Sequence, residues 1–355
     1  MNAATDFLQQ LQAALPGHGR VLIVTHDYPD PDALASAAAL QLLIKQLWQL
    51  KGQIVFHGGV SRPENRELLR NYRYRTTATR KIAPSRRRLP AIFTDALPWG
   101  GNVTLPPGIR PVAVFDHHQH LRRRQPVPAG MLLDIQPDLG ATTTRLHELL
   151  AAAQVTPPPW LATIMAYAIA TETMEFTHGA TERDIAAHTA LLAECNPRLL
   201  GRIRNAPLPR EYYAFLAEGM RQARTYRRVA WSHLTDTPQP EIVAEIADLL
   251  LRMERITWAF CTAGMGDRLI ISIRSESDAD CGRYLRKITR RQPGSFGGHS
   301  HAAAGYLDLT GMSPAQRIQC KDELVNDLVA GLAGQPGEEA RRLVEDEHRT
   351  PNTEH

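Results

Sequence analysis

The sequence predicts an α/β protein whose first domain is built on a doubly wound, mainly parallel sheet. Two observations carry that reading. Short apolar runs rich in β-formers precede or alternate with longer Ala/Leu-rich stretches, the strand–helix–strand rhythm of a parallel sheet. Each run is followed at once by Asp or His, and ligands of such sheets bind outside the carboxyl ends of the strands.

In chain order, the buried strands are expected at residues 21–25 (VLIVT), 91–94 (AIFT) and 112–115 (VAVF), each bounded by Pro, Gly or Arg. The first feeds a helix over 33–50. Further helices are expected over 141–154, 159–170 and about 181–194, where Thr181 with Asp184 has the form of a capping box. Residues 200–228 contain Pro207 and Pro209 before a charged helical pattern and read as a helical hinge. A second, smaller α/β domain follows. It has a helix over 240–253, hairpin strands over 257–262 and 268–274 around Gly264-Met265-Gly266, a helix near 280–290, a Gly/His loop and a last helix over 314–332. The expected division is a catalytic domain over 1–199, a linker over 200–228, a C-terminal substrate-binding domain over 229–333 and a charged, frayed tail over 334–355, with the active site in the cleft between the domains.

Composition narrows the function classes. The chain has 355 residues, 43% of them hydrophobic, enough for two globular cores. A formal charge of +4 suits an anionic ligand but falls short of a protein that coats DNA. The cysteines, Cys195, Cys261, Cys281 and Cys320, are scattered without a C-x-x-C pair, which argues against thiolate zinc and against a disulfide framework. The first residues do not read as a secretory signal and no apolar run spans a bilayer, so a cytoplasmic protein without membrane contact is expected.

The chemistry is expected where the strands end. The first leads into His26, Asp30 and Asp32, the second into Asp95, the third into Asp116, His117 and His118. A lone His or Asp at a strand end is usually a cap or a solvated group, and Asp30 or Asp32, flanking Pro31 before a helix, suits an N-cap. Three strand ends carrying these types together point instead to a metal site. Oxygen and nitrogen donors without sulfur favour Mn²⁺ or a similar ion over structural zinc. Five such groups exceed what one catalytic ion needs, so two divalent cations about 3.5–4 Å apart are expected, with Asp95 between them. Mg²⁺ or Co²⁺ would also suit these donors.

At these residues the sequence resembles the DHH phosphoesterase superfamily. Asp116-His117-His118 matches its name-giving motif, His26-x3-Asp30-x-Asp32-Ala33 its first motif, and Asp95 its lone acidic strand end. Gly297-Gly298-His299 with Ala302-Ala303-Ala304-Gly305 resembles the glycine-rich signature of the C-terminal domain in the RecJ-like and NrnA-like branch. The resemblance implies that His26, Asp30 and Asp95 hold one Mn²⁺ and that Asp32, Asp95 and His117 hold the other. It implies that Asp116 orients its neighbours, that His118 faces the phosphate or leaving group, and that Gly297, Gly298 and His299 contact substrate. The sequence departs from the family at Thr171-Glu172-Thr173, where an Asp is expected; Glu172 either ligates the second ion with local adjustment, weakens that site, marks a changed substrate, or is a helix-end carboxylate without a metal role. Arg274 is a further candidate for a phosphate contact, with a surface role almost as plausible. Clusters at Arg86-Arg87-Arg88, Arg122-Arg123-Arg124 and Arg286-Lys287 with Arg290-Arg291 read mostly as solvated faces, and few aromatics are interleaved with them. The expected substrate is therefore a nucleotide ester or short single-stranded nucleic acid, and the chain is compatible with a homodimer. The alternatives are a pyrophosphatase or polyphosphatase of the same superfamily, whose C-terminal type differs, and a nucleotide-binding module weakened by Glu172.

Overall fold

The computed structural model of the protein describes residues 3–60, 62–83, 88–118, 127, 130–276, 280–290, 293–298, 301–334 and 340–344. The chain divides into two compact units, Met1–Pro207 and Leu208–His355.

The first unit runs α1 (Ala3–Ala14), β1 (Arg20–Val24), α2 (Pro31–Trp48), β2 (Lys51–Phe56), α3 (Pro63–Arg70), β3 (Thr76–Ala78), β4 (Leu89–Thr94), β5 (Ile109–Asp116), β6 (Leu132–Ile135), α4 (Thr142–Ala152), α5 (Pro159–Glu172), α6 (Glu182–Glu194) and α7 (Pro197–Arg204). Its six strands pair in the order β3-β2-β1-β4-β5-β6, and every pairing is parallel. The strand order reverses between β1 and β4, so the crevice at that switch point lies beside the ends of the strands that carry His26 and Asp95. On one face of the sheet, Ile23, Ile54, Ile92 and Phe115 pack with α2, α4 and α5 in a single apolar cluster. On the other face, Leu22, Val24, Phe93 and Val114 pack with Ile82, Leu97 and Met131, which belong to connecting segments rather than helices. The crossovers from β3 to β4 and from β4 to β5 contain no α-helix among the described residues, which leaves that second face to coil.

α2 explains how the site is held. Asp30 caps it, accepting the Ala33 amide at 2.9 Å, and Pro31 starts it with a ring already set for helical φ. Its interior is apolar on nearly all sides because it lies between the sheet, α4 and α5; Leu34, Leu40, Leu43 and Ile44 are fully buried.

The second unit contains α8 (Arg210–Gln222), β7 (Arg224–Tyr226), β8 (Val229–Leu234), α9 (Pro240–Leu251), β9 (Trp258–Met265), β10 (Arg268–Ser275), α10 (Cys281–Thr289), β11 (Gly294–Gly298), β12 (Ala302–Asp308), α11 (Pro314–Ala333) and β13 (Arg341–Arg342). They form a mixed sheet in the order β11-β12-β10-β9-β8-β7-β13. Among the described residues, no helix is long and apolar enough to cross a membrane.

Several expectations need correction. Residues 200–228, expected as a helical hinge, hold the end of α7, which buries Ile203 in the first unit, and α8, which packs on β8 and α9 in the second. Gly264 and Met265 lie inside β9, and the β9–β10 turn is the two-residue Gly266-Asp267, with Gly266 at φ +59°. Gly297-Gly298 is an edge strand rather than a loop, paired with Ala304 and Ala303. Within the stretch expected to fray, Arg341 and Arg342 pair with β7.

Candidate metal centre

Three strand ends and one helix end meet around Asp95. This residue follows β4 directly, is 3% exposed and adopts φ +53°, a left-handed conformation that costs on the order of 1 kcal/mol or more and persists where the surroundings impose it. Its amide donates to Phe115 O at 2.8 Å, which ties the bend to β5. The two carboxylate oxygens face different partners. Oδ2 lies 3.5 Å from His26 Nε2, and Oδ1 lies 3.7 Å from His117 Nε2. Asp30 Oδ1 stands 3.7 Å from His26 Nε2 on the first side. Glu172 Oε1 at 3.7 Å and Asp32 Oδ2 at 3.9 Å stand near His117 Nε2 on the second. These separations exceed hydrogen-bond length yet are short enough for one cation to touch both partners.

Both imidazoles are oriented from behind. The Nδ1 of His26 lies 2.9 Å from Asp27 O, and that of His117 lies 3.2 Å from Leu139 O. An Nδ1–H donated to a carbonyl leaves the Nε2 lone pair to face Asp95, the tautomer a metal ligand requires. His117 Nε2 is buried and has no hydrogen-bond partner in the structure, a costly arrangement unless a cation occupies the space it faces. Ligand atoms of His26, Asp30 and Asp95 lie within 4.8 Å of one another, and so do those of Asp95, His117 and His118. The donor set fits a pair of divalent cations on this evidence of geometry.

His118 is placed differently from His117. Its Nδ1 sits 2.8 Å from Asp116 Oδ1, which also accepts the His118 amide at 3.0 Å, and 3.4 Å from Asp95 Oδ1. Asp116 thus holds the ring that follows it. Asp32 also serves a helix, since its oxygens accept the Thr142 and Thr143 amides, both at 2.8 Å. Ala141, the N-cap of α4, offers no side-chain acceptor, so Asp32 caps that helix from α2. A carboxylate oxygen has two lone pairs, so this does not exhaust its capacity for a cation.

The charges are unbalanced without metal. Burial and then the charge of Asp95 push the Asp32 pKa from 3.8 up to about 7. Burial, followed by Asp30, Asp32 and Asp95, holds Glu172 well above the usual carboxylate range. Burial opposes charge on His26, but Asp30 and Asp95 outweigh it and raise the pKa to about 11; for His118 burial is likewise outweighed, by Asp116 and Asp95, to about 11. Burial also works against ionisation of Asp95, but the neighbouring His118, His26 and His117 imidazoles outweigh it and leave its pKa well below normal. In the absence of cations, protons on the imidazoles supply the counter-charge that the carboxylates demand.

His26, Asp30, Asp32, Asp95, Asp116, His117, His118 and Glu172 are all brought together in this way. Sequence reasoning missed three supports: Asp27, which accepts the Thr104 amide and hydroxyl at 2.8 and 2.7 Å; the Leu139 carbonyl; and Thr142, whose hydroxyl lies 3.2 Å from Asp95 Oδ1. The run Thr142-Thr143-Thr144 at an uncapped helix start was the available signal for the last of these. In the second unit, Arg274 of β10 is held by its neighbours. Its guanidinium bonds Asp248, Ser272 Oγ and the Ile273 carbonyl, and its side chain is only 13% exposed, so its charge is already matched within the unit. Gly297 has open space where a Cβ would stand, while His299 lies outside the described residues, as do Arg86, Arg87 and Arg122-Arg123-Arg124.

Fold and site together define a two-unit α/β protein with a carboxylate–imidazole cluster able to hold metal at the switch point of its parallel sheet. Residues 228–330 match the DHHA1 domain. The chain is 27% identical over 290 residues to the uncharacterized protein MJ1633 of Methanocaldococcus jannaschii, covering 81% of this chain and 58% of that protein. It is 26% identical over 236 residues to an A-adding tRNA nucleotidyltransferase of Geobacter sulfurreducens, covering 63% of this chain and 25% of that protein. The chain therefore spans less than two thirds of either relative. The fold is similar to that of an exopolyphosphatase-related protein from Bacteroides fragilis, with a TM-score of 0.64, 14% identity and coverage of 91% and 95% of the two chains. It is also similar to RecJ from Thermus thermophilus in complex with Mn²⁺, with a TM-score of 0.50, 15% identity and coverage of 93% and 54%. The chain thus carries Asp116-His117-His118 in its first unit and a match to the DHHA1 domain over residues 228–330 in its second.

Proposed function

We propose that this protein is a Mn²⁺-dependent phosphoesterase that hydrolyses a phosphate ester of a nucleotide or short single-stranded nucleic acid. The observation that carries the reading is the division of Asp95: one oxygen faces His26 and the other His117, each imidazole turning its Nδ1 to a main-chain carbonyl. His26, Asp30 and Asp95 would hold one cation; Asp95, His117, Asp32 and Glu172 would hold the other. When bound, the cations supply Lewis acidity and counter-charge for a phosphoryl group. The chain's own residues do the rest. Asp95 fixes the spacing of the two halves. Thr142 and the α4 amides keep Asp95 and Asp32 from turning away. His118, held on Nδ1 by Asp116, is assigned the hydrogen bond or proton to the departing oxygen through its other ring nitrogen.

Mn²⁺ is favoured because the donors are nitrogen and oxygen without thiolate, and because RecJ, a protein of similar fold, was crystallised with it. A nucleotide substrate is favoured over pyrophosphate by the DHHA1 match, with Gly297, Gly298 and His299 as its substrate contacts. The test is a Mn²⁺-dependent hydrolysis panel of adenosine 3′,5′-bisphosphate, di- to pentanucleotides, long single-stranded DNA and pyrophosphate. The reading expects turnover of a nucleotide ester that Asp95→Asn abolishes. Turnover of pyrophosphate alone would replace it with a pyrophosphatase, and tight nucleotide binding without turnover would replace it with a binding module.

A further inference from the structure

Tyr28 stands in the middle of the segment that carries His26 and Asp30, yet the metal centre makes no use of its side chain. The segment is pinned residue by residue. The Asp27 amide donates to Asn102 O at 2.8 Å, and the Asp27 carboxylate accepts from Thr104. The Tyr28 amide donates to His57 O at 2.9 Å, Pro29 is buried, and Asp30 caps α2. The Tyr28 backbone is held at φ +55°, a left-handed conformation that an aromatic residue keeps only where its surroundings impose it. The side chain fixed in this way is 66% exposed, so it adds little to the core.

The support for the ring comes from just past β2. Tyr28 meets His57 edge-on, with ring centroids 6.3 Å apart and planes at 88°. Gly58 lies so close that a Cβ there would stand 2.6 Å from Tyr28 Cδ1 and 2.7 Å from Cε1. A glycine and an imidazole thus seat one side of the ring and leave the rest of it to solvent. Position decides what that exposed surface can meet. β2 and β4 both neighbour β1, and strands lie about 4.8 Å apart, so the ends of β2 and β4 are separated by about 10 Å. From Asp95, at the end of β4, the ring is about one nucleotide away along the edge of the sheet where the metal centre lies. A ring on a pinned backbone loses little freedom when a flat group lies on it, the condition in which stacking adds most to affinity.

We infer that Tyr28 is a stacking platform for the base of the nucleotide whose phosphate the metal centre takes. This inference rests on the nucleotide reading of that centre and deepens it. Part of the affinity comes from the base, whichever base it is, because every base presents a π face. Pyrophosphate, which has no base, gains nothing from Tyr28.

The test reads binding, so it does not depend on turnover. Isothermal titration calorimetry of the full chain in Mn²⁺ compares adenosine 5′-monophosphate with ribose 5-phosphate, which keeps the phosphate and sugar but lacks the base. The parent should bind the nucleotide more tightly. Stacking of one base on an aromatic side chain is worth about 5- to 150-fold in affinity, so Tyr28→Leu should lose about that factor for the nucleotide. Tyr28→Phe should stay within about twofold of the parent, since it keeps the ring, and ribose 5-phosphate should bind all three proteins alike. In Tyr28→Trp the new indole should be quenched by the nucleotide and not by ribose 5-phosphate, a readout that does not need the leucine variant to fold. Equal losses for both ligands in Tyr28→Leu would overturn the inference, because Tyr28 would then only shape the loop that carries His26 and Asp30. An unchanged nucleotide affinity in Tyr28→Leu, or an unquenched indole, would overturn it too. A parent that binds the nucleotide no better than ribose 5-phosphate would do the same, whatever the hydrolysis panel shows. If that panel finds no turnover but the base-dependent loss appears, the metal-centre chemistry is wrong and the platform stands.

Discussion

Replacing Asp32 by Asn should have opposite effects on stability with and without metal. The substitution keeps the shape of a fully buried side chain. It also removes one of the two acceptors for the α4 amides, because the Asn NH₂ would confront the Thr142 or Thr143 N–H. An unsatisfied buried N–H costs about 1–3 kcal/mol. Against this, the carboxylate that is lost was strained by burial and by Asp95. A pKa carried from 3.8 to about 7 corresponds to about 4 kcal/mol of penalty once the group is ionised, above pH 7. In EDTA at pH 8 the net effect is therefore a gain of about 1–3 kcal/mol, a rise in melting temperature of roughly 2–12 °C for a unit of this size. With Mn²⁺ bound the repulsion is already neutralised, so only the lost ligand and lost hydrogen bond remain, and Asp32→Asn should melt below the parent. Differential scanning calorimetry at pH 8, in EDTA and in 1 mM Mn²⁺, reads both signs. An equal fall in both conditions would refute the reasoning, because it would mean that Asp32 caps α4 and nothing more.

Other consequences follow from the same geometry. Glu172→Gln should lower kcat/KM on the nucleotide ester at least tenfold in Mn²⁺ while leaving the circular dichroism spectrum unchanged, since Glu172 Oε1 is one of the groups 3.7 Å from His117. The metal-free protein should lose stability as pH rises from about 4 to 7. Asp32 binds its proton more tightly folded than unfolded across that interval, so chemical denaturation in EDTA should give a falling contribution that Mn²⁺ abolishes. Gly58→Ala should destabilise the first unit by about 1 kcal/mol or more, because Gly58 is at φ +82° and a Cβ there would stand 2.6 Å from the Tyr28 ring. Urea titration reads that loss.

Much of the site was legible because its chemistry is written at strand ends. His26, Asp30, Asp95 and His117 each follow a short apolar run by no more than a few residues, and a parallel sheet leaves such residues on one edge. β1, β4 and β5 were legible for the same reason, being buried on both faces and continuously apolar. β2, β3 and β6 were not. β2 opens Lys51-Gly52-Gln53, β3 has three residues of mixed exposure, and β6 includes Asp134, which is buried only because Arg145 and Gln136 bond it. The capping role of Asp32 was also hidden, since holding α4 from α2 joins residues 110 and 111 positions apart. The ion pair of Arg274 with Asp248 was hidden as well, since only the fold brings the two together.

The most direct test of the central claim is the anomalous scattering of a crystal of the full chain soaked in Mn²⁺. The account predicts two manganese peaks, one on each side of the Asp95 carboxylate, the first shared with His26 and Asp30 and the second with His117. A single ion, or manganese found only away from Asp95, would contradict it.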